Sequence, residues 1–208
     1  MSKTGQPPPN KGRTFPAEPL TEAEVGALLR GCSLRAPTGI RNRALIAVMY
    51  RAGLRVSEAL ALRPADVNLT DGTLRVLHGK GDKARTVGLD AGALDAVSRW
   101  MDKRRGYGFR NGPLFCTLAG GPVMPGYVRD MLKRQAAKAG LEKRVHPHGL
   151  RHTHAAELVR EGVPMNVIRD QLGHSSLAVT DRYLRDVAPA DLIALGKSRT
   201  WKEAISCG

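Results

Sequence analysis

Between residues 66 and 89 the hydrophobic pattern changes period, and this constrains the fold more than any other stretch of the chain. The inward candidates alternate there, as Val67 and Leu69, Leu74 and Val76, then Thr86 and Val87. Period two lines one face of an extended strand, and Asp71-Gly72 and the GKGD segment at 79–82 supply turns between strands. A small antiparallel sheet is expected. On both sides of it the spacing is helical. Thr21 to Glu24 form a capping box ahead of Val25, Leu28 and Leu29, and Gly31 stops that helix. A second helix carries Ala44, Leu45, Val48 and Met49 and ends at Gly53. Helical patterns resume over Ala91–Arg105, Gly126–Ala139, 149–161, 164–172 and 176–184. The expected fold class is therefore mainly α with a small antiparallel β-sheet. There is no internal repeat, and no heptad pattern persists long enough for a coiled coil.

The 208 residues are 42% hydrophobic, enough for one buried core. Residues 1–20, with Pro7 to Pro9 and a second cluster at Pro16 and Pro19, cannot supply such a core and are expected to be a flexible tail. The main domain is expected over 21–187. Beyond Pro189, residues 188–208 place Leu192, Ile193, Leu195 and Trp201 on a terminal amphipathic helix. The longest apolar run, Ala44 to Tyr50, is too short to cross a bilayer, and the first residues lack the apolar stretch of a secretory signal. Cys32, Cys116 and Cys207 have no metal-binding spacing and are too few for a disulfide framework. These features predict a cytoplasmic protein with reduced thiols.

Charge points to the partner. Thirty-three Lys and Arg against nineteen Asp and Glu give a formal charge of +14, the footprint of a protein that neutralises phosphates. Aromatic residues are only 4% of the chain, too few to build a platform for unpaired bases. Double-stranded DNA, held through its backbone, fits better than single strands.

Several cationic groups recur beside turns and helix starts. Arg55 follows Gly53 in AGLRVSE, and Glu58 lies three residues on, able to hold the guanidinium. Lys80 stands between two glycines at the tip of a predicted hairpin. GKGDK lacks the spacing of a phosphate-binding P-loop. The segment HPHGLRHTH places four histidines in nine positions, but position 149 is Gly rather than Glu, no Cys is near, and Arg151 would repel a cation. Neither a metal nor an organic cofactor is expected. His146 and His154 are assigned to structural or DNA-facing roles, and His152 to support of the site. Tyr183 follows His174 by nine residues in LGHSSLAVTDRY.

The ordered set Arg55, Lys80, His148, Arg151, His174 and Tyr183 resembles the tyrosine recombinase, or phage integrase, family over residues 20 to 190. That resemblance implies the family's catalytic-domain fold and a site-specific recombinase that cleaves and rejoins DNA through a 3′-phosphotyrosine, without metal or ATP. It assigns Tyr183 as nucleophile, Arg55 and Arg151 to the nonbridging oxygens, Lys80 as general acid, His148 as general base and His174 as a donor to the phosphate. It also implies a homotetramer on synapsed DNA, accessory proteins and association with the nucleoid. In related recombinases a C-terminal tail packs on a neighbouring subunit; packing on its own core is the alternative here. Family members commonly carry a DNA-clamping domain of about a hundred residues ahead of the catalytic one. Here only the Pro-rich tail precedes Thr21, which fits either one domain of a longer protein or a short recombinase. A type IB topoisomerase-like nicking and resealing enzyme, and a catalytically idle DNA-binding regulator, are the other functions compatible with this pattern.

Overall fold

The computed structural model describes residues 18–77 and 84–173. Lys80, His174, Tyr183, the expected helix over 176–184 and the terminal segment 188–208 therefore lie outside the described residues. The elements run α1 (Glu22–Arg30), α2 (Pro37–Arg51), α3 (Val56–Ala61), a single 3-10 turn at Pro64–Asp66, β1 (Val67–Asn68), β2 (Thr73–Val76) and β3 (Arg85–Gly88). They continue through α4 (Ala91–Gly106), α5 (Pro125–Lys138), α6 (Pro147–Arg160) and α7 (Met165–Leu172). The fold is that expected from the sequence, helices around a small three-stranded sheet.

Helix α2 is the spine. Leu45, Ile46, Val48 and Met49 have no exposed surface, and α2 packs against both α4 and α6. Its nearly all-round burial explains why the helical stripe in its sequence is broad. Helix α1 starts as its capping box dictates: Thr21 Oγ1 accepts from Glu24 N–H while Glu24 Oε2 accepts from Thr21 N–H. Just before it Leu20 is buried, and its N–H donates to Thr153 Oγ1 on α6.

The sheet has the order β1-β2-β3, antiparallel throughout, with Val67 opposite Leu74, Leu74 opposite Val87 and Val76 opposite Arg85. Leu74, Val76 and Val87 point into the core. Leu69 falls outside β1, contrary to the alternation. The reason is local: Asn68 Oδ1 accepts from the N–H groups of Thr70 and Asp71 and winds the chain into a turn one residue early.

The connection between α4 and α5 carries no periodic signal and is shaped by two buried polar side chains. Arg104 donates to the carbonyls of Phe109, Asn111 and Pro113, and Trp100 Nε1 donates to Leu114 O at 2.8 Å. A smaller apolar cluster, Ala155 with Ile168 and Leu172, fixes α7 to α6. Among the described residues no helix is long and apolar enough to cross a membrane.

Candidate active site

Three sequence-distant segments meet where α2 turns into α3, where β3 begins and where α7 ends. Gly53 lets the first of them turn. Its φ is +60°, and a Cβ there would lie 2.5 Å from His154 Cδ2 and 2.8 Å from a Leu172 methyl. Only glycine both adopts this conformation without strain and admits so close a neighbour. Two residues later Arg55 occupies the N-cap position of α3, and Glu58 reaches back to it: its Oε2 accepts from Arg55 N–H at 3.0 Å.

Glu58 is the hub. Its side chain is 2% exposed, and its Oε1 accepts from Arg55 Nη1 at 2.5 Å. Arg85 forms a fork on the same carboxylate, 3.2 Å to Oε1 and 2.8 Å to Oε2, and Arg151 Nη1 stands 3.8 Å from Oε2. Burial alone would raise the Glu58 carboxyl, but the hydrogen bonds from Arg85 and Arg55 and the Arg85 charge outweigh it and hold it below the usual carboxylate range. One buried anion thus gathers three guanidinium groups.

The same three arginines collect the end of α7. Arg85 Nε donates to Gln171 O at 3.0 Å, Arg151 Nη2 to Leu172 O at 2.5 Å and Arg55 Nη2 to Gly173 O at 3.3 Å. A helix end leaves its last carbonyls without intrahelical partners and carries partial negative charge, so cations belong there. Arg151 also donates to Gly53 O, which ties the α2–α3 turn to the α7 terminus. Gly173 takes the left-handed conformation, φ +62°, and the chain leaves the described residues immediately before His174.

The predicted site residues divide accordingly. Arg55, Arg151 and the supporting Glu58 converge. Arg55 keeps 28% of its side chain exposed, whereas Arg151 is 1% exposed beneath it. His148 is exposed on the first turn of α6. Loss of hydration to neighbouring atoms, followed by the charge of Arg151, lowers its pKa from the ordinary histidine value, so the neutral imidazole persists to lower pH. His152 is buried one turn further along.

The other histidines serve the scaffold. His146 caps α6, its Nδ1 accepting from Gly149 N–H at 3.0 Å. His154 is 5% exposed and lies against Gly53, which makes it structural rather than DNA-facing. Burial, then the charges of Arg51 and Arg151, pushes its pKa down to about 4.

Arg85 was not among the candidates. The available signal was its parity: in Arg85-Thr86-Val87 it shares the inward face with Val87. An arginine on the buried face of a strand needs a partner.

Helices around a small antiparallel sheet form the fold of tyrosine recombinase catalytic domains, as solved structures of that class show. Similarity to XerA recombinase covers 93% of this chain and 68% of that one, with a TM-score of 0.78 and 29% identity. XerH site-specific recombinase bound to its palindromic difH substrate matches with a TM-score of 0.72 and 30% identity, over 86% of this chain and 52% of that one. In sequence the chain is 37% identical to tyrosine recombinase XerD of Ralstonia nicotianae over 186 residues, 88% of this chain and 59% of the relative. It is also 37% identical to XerC of Halalkalibacterium halodurans over 182 residues, 81% of this chain and 60% of the relative. It spans about six-tenths of the length of these curated relatives. The phage integrase family matches residues 18–188, and the chain belongs to that family.

Proposed function

We propose that this protein is a site-specific recombinase that breaks and rejoins duplex DNA through a phosphotyrosine at Tyr183, with no metal or ATP. The observation that carries this is the set of guanidinium groups gathered on Glu58, with Arg55 left half-exposed at the surface. Arg55 has five N–H donors, of which two are given to Glu58 and Gly173. The remainder can meet the nonbridging oxygens of a phosphate, where negative charge rises as phosphorus becomes five-coordinate. Arg151 contributes a second positive charge from beneath.

In the proposed step the Tyr183 oxygen attacks phosphorus and passes its proton to His148. The bond from phosphorus to the 5′ oxygen breaks, and Lys80 supplies the proton that oxygen takes up. His174 donates to the phosphate. The bond energy stays in the phosphotyrosine, so the attack of a 5′-hydroxyl can reseal the strand without an external energy source. The lowered pKa of His148 supports its role as base, because a neutral imidazole is needed to accept the proton. His152, buried on the same helix, is assigned to support of the site. The partner is double-stranded DNA, and exchange between two sites calls for a tetramer on synapsed DNA, with accessory proteins selecting the outcome.

The test is a suicide duplex, nicked or carrying a bridging phosphorothiolate, drawn from a sequence pool and incubated without metal or ATP. Wild type is expected to form a denaturation-resistant adduct and Tyr183→Phe none. An adduct that persists in Tyr183→Phe refutes the assignment. Relaxation of supercoiled plasmid without joining of two sites would instead indicate the topoisomerase-like function.

A further inference from the structure

We infer that Arg85 is a positioning residue for strand cleavage: it clamps Glu58 to the end of α7 and so sets both Arg55 and the backbone leading into His174. The inference rests on the proposed function, but its structural half can be tested without any chemistry.

Three observations carry it. First, Arg85 uses both edges of its guanidinium at once. Nη1 and Nη2 fork the Glu58 carboxylate at 3.2 and 2.8 Å, while Nε reaches Gln171 O at 3.0 Å. A planar fork with fixed donor directions can make that bridge; a lysine ammonium, a single point of charge, cannot hold all three acceptors in this geometry. Second, the side chain is 11% exposed and its donors face inward, so it is placed to act on neighbours rather than on a phosphate. Third, the fit with the α7 terminus is close. A Cβ at Gly173 would lie 2.9 Å from Arg85 Nη1 and 3.1 Å from its Cζ. Gly173 is thus required for its left-handed φ and for the passage of this guanidinium.

The consequence follows from where the neighbours lead. Arg55 holds Gly173 O on one side and Glu58 on the other, so any movement of Glu58 or of the last turn of α7 moves the Arg55 fork. Arg85 is the only described residue bonded directly to both Glu58 and Gln171. It also opens β3, five positions after Lys80 in sequence. One side chain therefore links the strand that follows the predicted general acid to the helix that precedes His174.

The experiment compares wild type, Arg85→Ala, Arg85→Lys and Tyr183→Phe in three measurements: single-turnover adduct formation at saturating protein, affinity for the same duplex, and amide hydrogen exchange across residues 165–173. Displacement of an oriented group by about an ångström costs on the order of a hundredfold in rate. Arg85→Ala is expected to slow adduct formation about 30- to 100-fold, to change affinity less than about 3-fold and to speed exchange in α7 about 10-fold, leaving α2 and α4 protected. Arg85→Lys keeps the charge beside Glu58 and the fold, but is expected to recover less than about a tenth of the lost rate. Added methylguanidinium should restore part of the rate to Arg85→Ala, which no general loss of stability would allow.

A loss confined to affinity would make Arg85 a phosphate contact and overturn the inference. So would unchanged exchange in α7, or full activity in Arg85→Lys. Failure of wild type to form any adduct, or an adduct in Tyr183→Phe, would instead defeat the proposed function. In that event the exchange measurement still decides whether the clamp exists.

Discussion

Replacing Glu58 by Gln changes one atom and removes the charge on which the site is assembled. The carboxylate accepts four hydrogen bonds, two from Arg55 and two from Arg85, and lies 3.8 Å from Arg151 Nη1. Whichever oxygen becomes the amide nitrogen, two donors then face a donor. Breaking a buried ion pair costs about 3–5 kcal/mol, because the partner charge is left uncompensated. Here Arg55 can turn its half-exposed head toward water, which favours the low end, about 3 kcal/mol. For a domain of this size that is a fall in Tm of roughly 6–12 °C. The pH dependence makes the prediction sharper. The folded-state pKa of Glu58 lies below its ordinary 4.5, so its contribution is complete above 4.5 and is lost as pH falls through the folded value. The difference between wild type and Glu58→Gln, measured by urea unfolding at a series of pH values, should therefore be largest near neutrality and shrink below 4.5. A loss below about 1 kcal/mol, or one undiminished at about pH 3, would refute the argument that the ionised carboxylate organises the three arginines.

Gly53→Ala should cost about 3 kcal/mol in urea unfolding, combining left-handed strain with a Cβ 2.5 Å from His154, whereas Gly140→Ala, at φ +65° with nothing within 4 Å, should cost only about 1 kcal/mol. His154, with its pKa pushed down to about 4 from 6.5, takes up its proton less readily folded than unfolded, so stability should fall between pH 6.5 and about 4 and level off below. The loss is at most about 3 kcal/mol, and His154→Gln should flatten it. If His148 is the base, the acid limb of adduct formation should lie below 6.5, and His148→Ala should abolish that limb along with most of the rate.

What could be seen in the sequence was what local rules determine. The capping box at Thr21, the turn at Gly53 with Glu58 beneath Arg55, and the alternation through Leu74, Val76 and Val87 each depend on residues within a few positions, and each appears in the structure. The early end of β1 was also a local event, an Asn68 turn competing with strand pairing. The loop at 107–124 was not legible, because its shape comes from Arg104 and Trp100 reaching carbonyls that no periodicity marks. The burial of Arg151 was not legible either, because it depends on Gly53 and Leu172, which lie 98 and 21 residues away. Arg85 escaped notice for the same reason: its acceptors are 27 and 86 residues distant.

The way these arginines are anchored bears on how such a site can be both stable and reactive. Concentrating positive charge for a phosphate is unfavourable before the phosphate arrives, since like charges repel strongly where water is scarce. Glu58 offsets part of that repulsion, but one anion among three cations leaves a net positive charge. The carbonyls of Gln171, Leu172 and Gly173, at a helix terminus whose dipole already favours cations, and that of Gly53 supply further acceptors. Backbone dipoles fix the guanidinium groups without neutralising them, which a second carboxylate would do. Under the proposed function, attraction for a phosphate is retained while orientation is settled in advance, the condition under which electrostatic stabilisation of a transition state needs no reorganisation at the moment of reaction. It follows that adding an anion should be more harmful than a neutral truncation that keeps the backbone carbonyl. Gln171→Glu, one residue from the α7 terminus, should leave the fold intact yet slow adduct formation more than Gln171→Ala does. Equal rates for the two variants, measured in single turnover with matched Tm values, would show that net charge at this terminus does not govern the reaction.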